Sequence, residues 1–262
     1  MNFTHVYEQE RFINDIHFQW IDCTDLNGTN CYCDEDAMNA IRSRIAPYSS
    51  GEIHFIDSGN YHYMTRIWLE KISEPFELLV FDNHTDMQPP AFGLLSCGGW
   101  IYDSIMELPL LKKVILIGPD EEAFSRVEPE FKEKVEFLSR ERLLEMEETE
   151  VSAFVKNQVG EYPLYISIDK DVLCETDADT NWSQGDMRLS TMLECLGAVK
   201  EKCAERISRI LGVDICGECD VTEPGNSALN DMANAALLEF FTSTDVGEDI
   251  EENKNGTTGG NG

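Results

Sequence analysis

The chain has 262 residues, 42% hydrophobic and 10% aromatic, so it carries enough apolar side chains for one large α/β domain or two small ones. Fifty acidic residues against twenty basic ones leave a formal charge of -30, which repels nucleic acid and anionic membrane and excludes both as expected partners. The opening "MNFTHVYEQERF" lacks the basic flank and apolar core of a signal peptide, no apolar run approaches the roughly 20 residues of a membrane span, and the nine scattered cysteines read as reduced thiols; a cytoplasmic protein is expected.

Short apolar runs alternate with helical patterns, the sign of a parallel sheet covered by helices. In chain order, "IHFQWID" (16–22) reads as a strand and "DEDAMNAIRSRI" as a helix with acidic residues in its first turn. "EIHFID" (52–57) is the next strand and "NYHYMTRIWLEKI" a helix behind it. Strands follow at "FELLVFD" (76–82), "KVILIG" (113–118), "KVEFLS" (134–139) and "LYISID" (164–169). The helix "LSTMLECLGAVKEKC" starts with a Ser190 cap and ends in lysines, a last strand occupies the later part of 206–216, and "SALNDMANAALLEFFTS" closes the fold. No repeat or Pro/Gly-rich linker interrupts residues 10–243, so residues 1–244 are expected to form a single three-layer α/β/α domain with a mostly parallel sheet. From 245 to 262 the chain is acidic and then Gly/Asn-rich, with little to bury, and should be disordered.

Directly behind an apolar strand, "VFDNHTDMQ" places Asp82, His84 and Asp86 at alternate positions, where extended backbone brings them to one side. Asp169 and Asp171 in "YISIDKDVL" repeat the spacing behind another strand. Both lie at carboxyl ends, where open α/β sheets bind ligands. Carboxylates so close raise one another's pKa and resist ionising together unless a cation neutralises them. One such motif alone is most often a solvated loop or a helix cap; two behind buried strands favour a metal.

These residues resemble the arginase/agmatinase/formiminoglutamase ureohydrolases, whose binuclear manganese site uses D-x-H-x-D after one strand and D-x-D after another; the matches are "DNHTD" and "DKD". A family histidine in a Gly-containing turn corresponds to His62 in "IDSGNYHYM". The resemblance implies that Asp82 and Asp169 bridge two Mn²⁺ ions, with His62 and Asp86 completing one and His84 and Asp171 the other. Oxygen donors with one imidazole per ion and no thiolate suit Mn²⁺. Two ions about 3.5 to 4 Å apart can share a water and supply a metal-bound hydroxide near neutral pH. The expected reaction is hydrolysis of a C–N bond in a guanidino, amidino or formimidoyl compound, a small-molecule substrate, with a homo-oligomer left open.

The sequence also departs from its relatives. Arginases carry a further histidine, credited with proton transfer, in the loop after D-x-H-x-D; here that loop reads "GLLSCGGWIYDS" and no histidine follows His84, so arginase activity itself is not expected. Ser96 and Cys97 are the side chains that can approach the site from this loop. The family glutamate that grips the guanidinium corresponds to Glu218 in "GVDICGECD", displaced by one residue, with Glu223 as a fallback; Asp86 and Glu218 are the expected catalytic residues. Trp182 and Gln184 in "TNWSQGDM" are candidate substrate contacts. The alternatives are a metal-dependent amide hydrolase or deacetylase on the same scaffold, favoured if the Glu218 assignment fails, and a non-catalytic metal- or ligand-binding relative. "CGEC" and "CYC" read as ordinary thiols rather than a redox pair or a zinc site, and His5, His17 and His54 as structural.

Overall fold

In a computed structural model of the chain, residues 1–14, 17–206, 209–219 and 227–243 are described. Their strands are β1 (Tyr32–Cys33), β2 (Ile53–Phe55), β3 (Phe76–Phe81), β4 (Leu95–Ser96), β5 (Leu111–Ile117), β6 (Val135–Leu138), β7 (Leu164–Asp169) and β8 (Ile210–Cys216). The helices are α1 (Glu35–Ile45), α2 (Met64–Leu69), α3 (Trp100–Glu107), α4 (Glu121–Ser125), α5 (Pro129–Lys132), α6 (Arg140–Glu145), α7 (Glu148–Gln158), α8 (Leu189–Glu205) and α9 (Ser227–Thr242). A parallel sheet runs in the order β2-β8-β7-β3-β5-β6, and β1 pairs with β4 in a small antiparallel ribbon.

The two central strands, β3 and β7, are buried along their whole length, as expected when helices cover both faces of a sheet. Alternation along the strands divides the core. Leu78, Val80, Val114 and Leu116 pack against Ile41 of α1, Ile67 and Trp68 of α2 and Trp100 of α3. Leu79, Phe81, Ile115, Ile117, Ile166 and Ile168 meet Val155 of α7, Leu196 of α8 and Leu237 of α9 on the other face. Each such side chain taken from water stabilises the fold by about 1.5 to 3 kcal/mol. The expected three-layer α/β/α architecture with a parallel sheet is therefore the observed one.

Local chemistry starts the helices. Asp34 and Asp120 accept the backbone N–H of Ala37 at 2.8 Å and of Ala123 at 2.6 Å, and Glu147 and Glu150 form a reciprocal capping box on α7. On α8 the predicted Ser190 cap is replaced: Asp177 Oδ2, from the preceding loop, accepts the Leu189 N–H at 2.8 Å and the Arg188 Nε–H at 2.8 Å. The strand predicted over 16–22 does not form. Among its described residues only Asp22 makes an isolated bridge, to Asn2, while Trp20 is 46% exposed. An apolar alternating run becomes a strand only where a partner edge is free, and here the β2 edge is covered by the N-terminal segment, with Met1 on the Phe55 carbonyl. The tail from 245 to 262 lies outside the described residues.

Candidate metal centre

Parallel register brings the carboxyl ends of the central strands level: Phe81 lies beside Ile117 and Ile168, and Asp169 beside Cys216. Each strand therefore delivers its next polar side chain to one edge of the sheet. Asp82 leaves β3, Asp169 ends β7, and Asp171 follows in the turn Lys170–Val172. His62 arrives after one 3-10 turn, Gly59–Tyr61, beyond β2. Asp86 adopts a left-handed backbone at φ 47°, a conformation Asp tolerates better than most residues, and its carboxylate accepts the Trp100 Nε1–H at 2.6 Å.

The six expected ligands converge. His62 Nδ1 stands 3.2 Å from Asp82 Oδ2, 3.1 Å from Asp86 Oδ2 and 3.4 Å from Asp169 Oδ2. His84 Nδ1 stands 2.8 Å from Asp171 Oδ2 and 3.5 Å from Asp82 Oδ1. Two donor groups result, His62–Asp82–Asp86 and Asp82–His84–Asp171, each with ligand atoms within 4.8 Å of one another and with Asp82 common to both. The other ring nitrogens are already held: His62 Nε2 by Ser167 Oγ at 2.9 Å and His84 Nε2 by Ser183 Oγ at 3.0 Å, which leaves each Nδ1 for an ion. Backbone amides orient the acids. The N–H of Asn83 donates to Asp171 Oδ1 at 2.9 Å, that of Asp171 to Asp169 Oδ1 at 3.0 Å, and that of His84 to Asp82 Oδ1 at 2.6 Å.

A divalent cation fits this arrangement on its polar accounting. His62 Nδ1, Asp82 Oδ2 and Asp171 Oδ2 are buried and make no hydrogen bond, a cost of about 1 to 3 kcal/mol each if nothing else neutralised them. The electrostatics agree. Burial and the neighbouring Asp82 push Asp86 up to about 7, and burial with Asp169 and Asp82 pushes Asp171 well above the carboxylate range. Burial would also raise Asp82, but the His62 and His84 imidazoles outweigh it and hold that carboxyl low. Burial opposes charge on His84, yet Asp171 and Asp82 raise it to about 12. Without a metal, the imidazoles serve as the cations.

Above the ligands lies a cavity of about 260 Å³ walled by Tyr32, Gln88, Ser96, Cys97 and Trp182. Trp182, 40% exposed, sets its ring edge-on to His84 with centroids 5.6 Å apart and donates its Nε1–H to Asn60 Oδ1 at 2.9 Å. Ser96 and Cys97 reach the wall as expected. Gln184 does not line this cavity: its Nε2 donates to the carbonyls of Leu173 and Ala178 at 3.1 and 3.0 Å, so it ties down the loop that carries Trp182.

Glu218 is not brought to the cavity, and its expected substrate and catalytic roles are corrected here. Its fully buried carboxylate pairs with the Lys170 ammonium and accepts the Asn234 Nδ2–H at 2.8 Å. Lys170 sits between Asp169 and Asp171, and its side chain leaves on the side away from them, where Glu218 meets it. The position facing the ligands is Gly217, at φ 91°, where a Cβ would lie 2.4 Å from Asp169 Oδ1. Glu223 lies outside the described residues.

Sequence reasoning missed Lys170 and Glu10. Asn234 links Glu218 to Glu10 Oε2 at 2.8 Å, and burial, then Glu218, pushes Glu10 up to about 9. A buried lysine between two ligand acids was the available signal, since it requires a carboxylate partner. In the sequence Cys216 reads as an ordinary thiol, although the strand-end rule that singled out Asp169 applies equally to its register neighbour. None of the nine cysteines forms a disulfide. Among the described residues no metal-type group includes Cys31, Cys33 or Cys219. His54 is a core histidine, stacked on Trp68 at 3.8 Å and bonded to Asp214 Oδ1 at 2.8 Å.

Comparison with known proteins gives a consistent result. The model of the Arginase family matches residues 4–215. An uncharacterized protein of Thermotoga maritima is 30% identical over 244 residues, 92% of this chain and 88% of that one. A structure titled as a hypothetical agmatinase from Burkholderia thailandensis superposes with a TM-score of 0.62 at 17% identity, over 80% of this chain and 66% of its own. An arginase-like protein of T. brucei, a triple mutant bound with Mn²⁺, gives 0.53 at 16% identity, over 79% of this chain and 66% of its own. At these identities the structures show a common fold.

Proposed function

The chain belongs to the arginase family, and from that premise we propose that it is a binuclear metal-dependent hydrolase of a C–N bond in a small guanidino, amidino or formimidoyl compound. The observation that carries this reading is the pair of donor groups sharing Asp82 beneath the cavity. His62, Asp82, Asp86 and Asp169 would hold one ion and Asp82, His84, Asp169 and Asp171 the other, with manganese as in the T. brucei relative. Bound there, two ions would lower the pKa of a water to near neutrality and polarise the bond to be cleaved. Asp86 is read as a ligand rather than a free base: Trp100 Nε1–H fixes its Oδ2, which stands 3.1 Å from His62 Nδ1, the atom left for the same ion. Trp182 offers a flat wall beside His84 on which a planar group can stack. A cytoplasmic setting belongs to the proposal, supported by nine cysteines without a disulfide; no described helix is long and apolar enough to cross a membrane.

A neutral amide substrate is the second reading. Among the described residues the cavity lining holds no carboxylate other than Asp82, Asp86, Asp169 and Asp171, and Glu218 points away. A guanidinium would therefore find no free acid to pair with among the described residues. Metal analysis after stripping and Mn²⁺ reloading, followed by turnover on guanidines, formimidoyl compounds and amides, tests both. Close to two ions per chain with turnover of a guanidino or formimidoyl compound supports the first. Activity confined to amides moves the chain to the second, and failure to retain metal removes both.

A further inference from the structure

Cys216 ends β8, and its register neighbour on β7 is Asp169. Its thiol is buried, with Sγ 3.3 Å from Asp169 Oδ2, and that oxygen lies 3.4 Å from His62 Nδ1. Donor atoms bonded to one four-coordinate ion stand roughly 3.5 Å apart, given bonds near 2.0 Å to nitrogen or oxygen and 2.3 Å to sulfur. These separations are of that size. The three donors form a group in which all ligand atoms lie within 4.8 Å of one another. His62 supplies an independent indication: the residue is 1% exposed, Ser167 holds Nε2, and Nδ1 has no hydrogen-bond partner. Gly217, at φ 91°, turns the chain sharply after Cys216, because any Cβ there would meet Asp169 Oδ1 at 2.4 Å and Lys170 N at 2.7 Å. The turn leaves Cys216 as the last β8 side chain directed at the ligands.

We propose that Cys216, with His62 and Asp169, holds the ion on the His62 side of the centre, giving that half a sulfur donor and a preference for a thiophilic divalent ion. This rests on the reading of a binuclear centre and refines it. The second position, Asp82–His84–Asp171, has only oxygen and imidazole donors and suits manganese. The first, with imidazole, carboxylate and thiolate, suits Zn²⁺, Co²⁺ or Fe²⁺. As the sulfur–metal bond forms, the S–H proton leaves to solvent, so the step balances without a redox partner. The protein is thus a candidate for a mixed centre, and the all-oxygen-and-nitrogen donor set read from the sequence becomes incomplete at one ion.

Zinc-edge X-ray absorption of the full chain loaded with Zn²⁺ tests the assignment, with Co²⁺-loaded protein examined for a near-ultraviolet sulfur-to-cobalt charge-transfer band. The expected result is a sulfur scatterer at about 2.3 Å, absent from Cys216→Ser and retained in Cys97→Ser, whose thiol lines the cavity. Competition with Mn²⁺ should show Cys216→Ser losing at least about tenfold in Zn²⁺ affinity while keeping its Mn²⁺ affinity. A nitrogen-and-oxygen shell alone, in wild-type protein holding two ions, overturns the sulfur ligand and leaves the binuclear reading standing. Wild-type protein that binds no metal overturns both. Because the wild-type spectrum decides by itself, a Cys216→Ser chain that fails to fold does not blunt the test.

Discussion

Asp82 meets both halves of the centre, with Oδ2 3.2 Å from His62 Nδ1 and Oδ1 accepting the His84 N–H at 2.6 Å. Asp86 touches only the first half. Asp82→Asn is therefore expected to lose tight binding of both ions and Asp86→Asn of one, measured as metal per chain after dialysis; equal losses would show that Asp82 is no bridge. Glu218 belongs to a different argument. Its charge is matched by Lys170 in a fully buried pair, so Glu218→Gln leaves a buried ammonium short of a partner and should cost about 3 to 5 kcal/mol of stability. Metal content and substrate KM should hold at wild-type values. Urea unfolding together with kinetics checks this: a large fall in kcat/KM with unchanged stability would return Glu218 to the cavity. The spacing D-x-H-x-D and D-x-D made all six proposed ligands readable as residues. Glu218 was misread because a one-residue displacement at a strand end reverses the side of the sheet on which a side chain emerges.

The elements explain why the ends of β3, β7 and β8 can present so much charge. Their interiors are mostly apolar and, beyond the first residues of β8, buried between two helical layers, with Glu77, Ser167 and Asp214 as bonded exceptions, so the acids of the candidate site come where the helices stop covering the strands. Turns do the remaining work. Gly217→Ala would force a side chain into a left-handed position and against Asp169 Oδ1, so a loss of more than about 1 kcal/mol and weakened metal retention are expected together. Thermal melts and metal analysis measure the two effects, and a neutral substitution would refute the tight turn. Strands with strong apolar runs were legible to within a residue or two. The helices α3 to α7 were not singled out, since packing against the sheet and capping side chains such as Ser139 and Glu147 define them more than periodicity does.

At the scale of the molecule, charge links the centre to pH. Asp86 and His84 both have raised pKa values in the metal-free chain, at about 7 and about 12. A raised group stabilises the fold fully below its unfolded pKa, near 3.9 for Asp and 6.5 for His, and loses that contribution as pH climbs through the folded value. The metal-free protein should accordingly weaken from about pH 4 upward through 7, as Asp86 ionises beside Asp82. A bound divalent ion takes over the neutralisation and competes with protons for the same oxygens. The gap in Tm between metal-loaded and chelator-treated protein should therefore widen from pH 5 to pH 8, in thermal scans at fixed ionic strength; a gap that narrows would reject the linkage. The exposed part of the chain's formal charge of -30 is common to both forms and cancels in the difference.

Composition, apolar runs and the spacing of acids and histidines determined by themselves the parallel α/β architecture, the strand ends that carry the site and the residues able to bind a cation. They could do so because side-chain alternation and burial are local consequences of sequence. Tertiary structure alone decided which strand edges found partners, leaving 17–22 with only the isolated Asn2–Asp22 bridge. It also decided that Lys170 and Glu10 share a buried cluster with Glu218 away from the cavity, and that the Cys216 thiol stands beside His62 and Asp169. Those outcomes depend on register between strands more than forty residues apart in the chain and on which side of the sheet each end turns, and no local pattern encodes either.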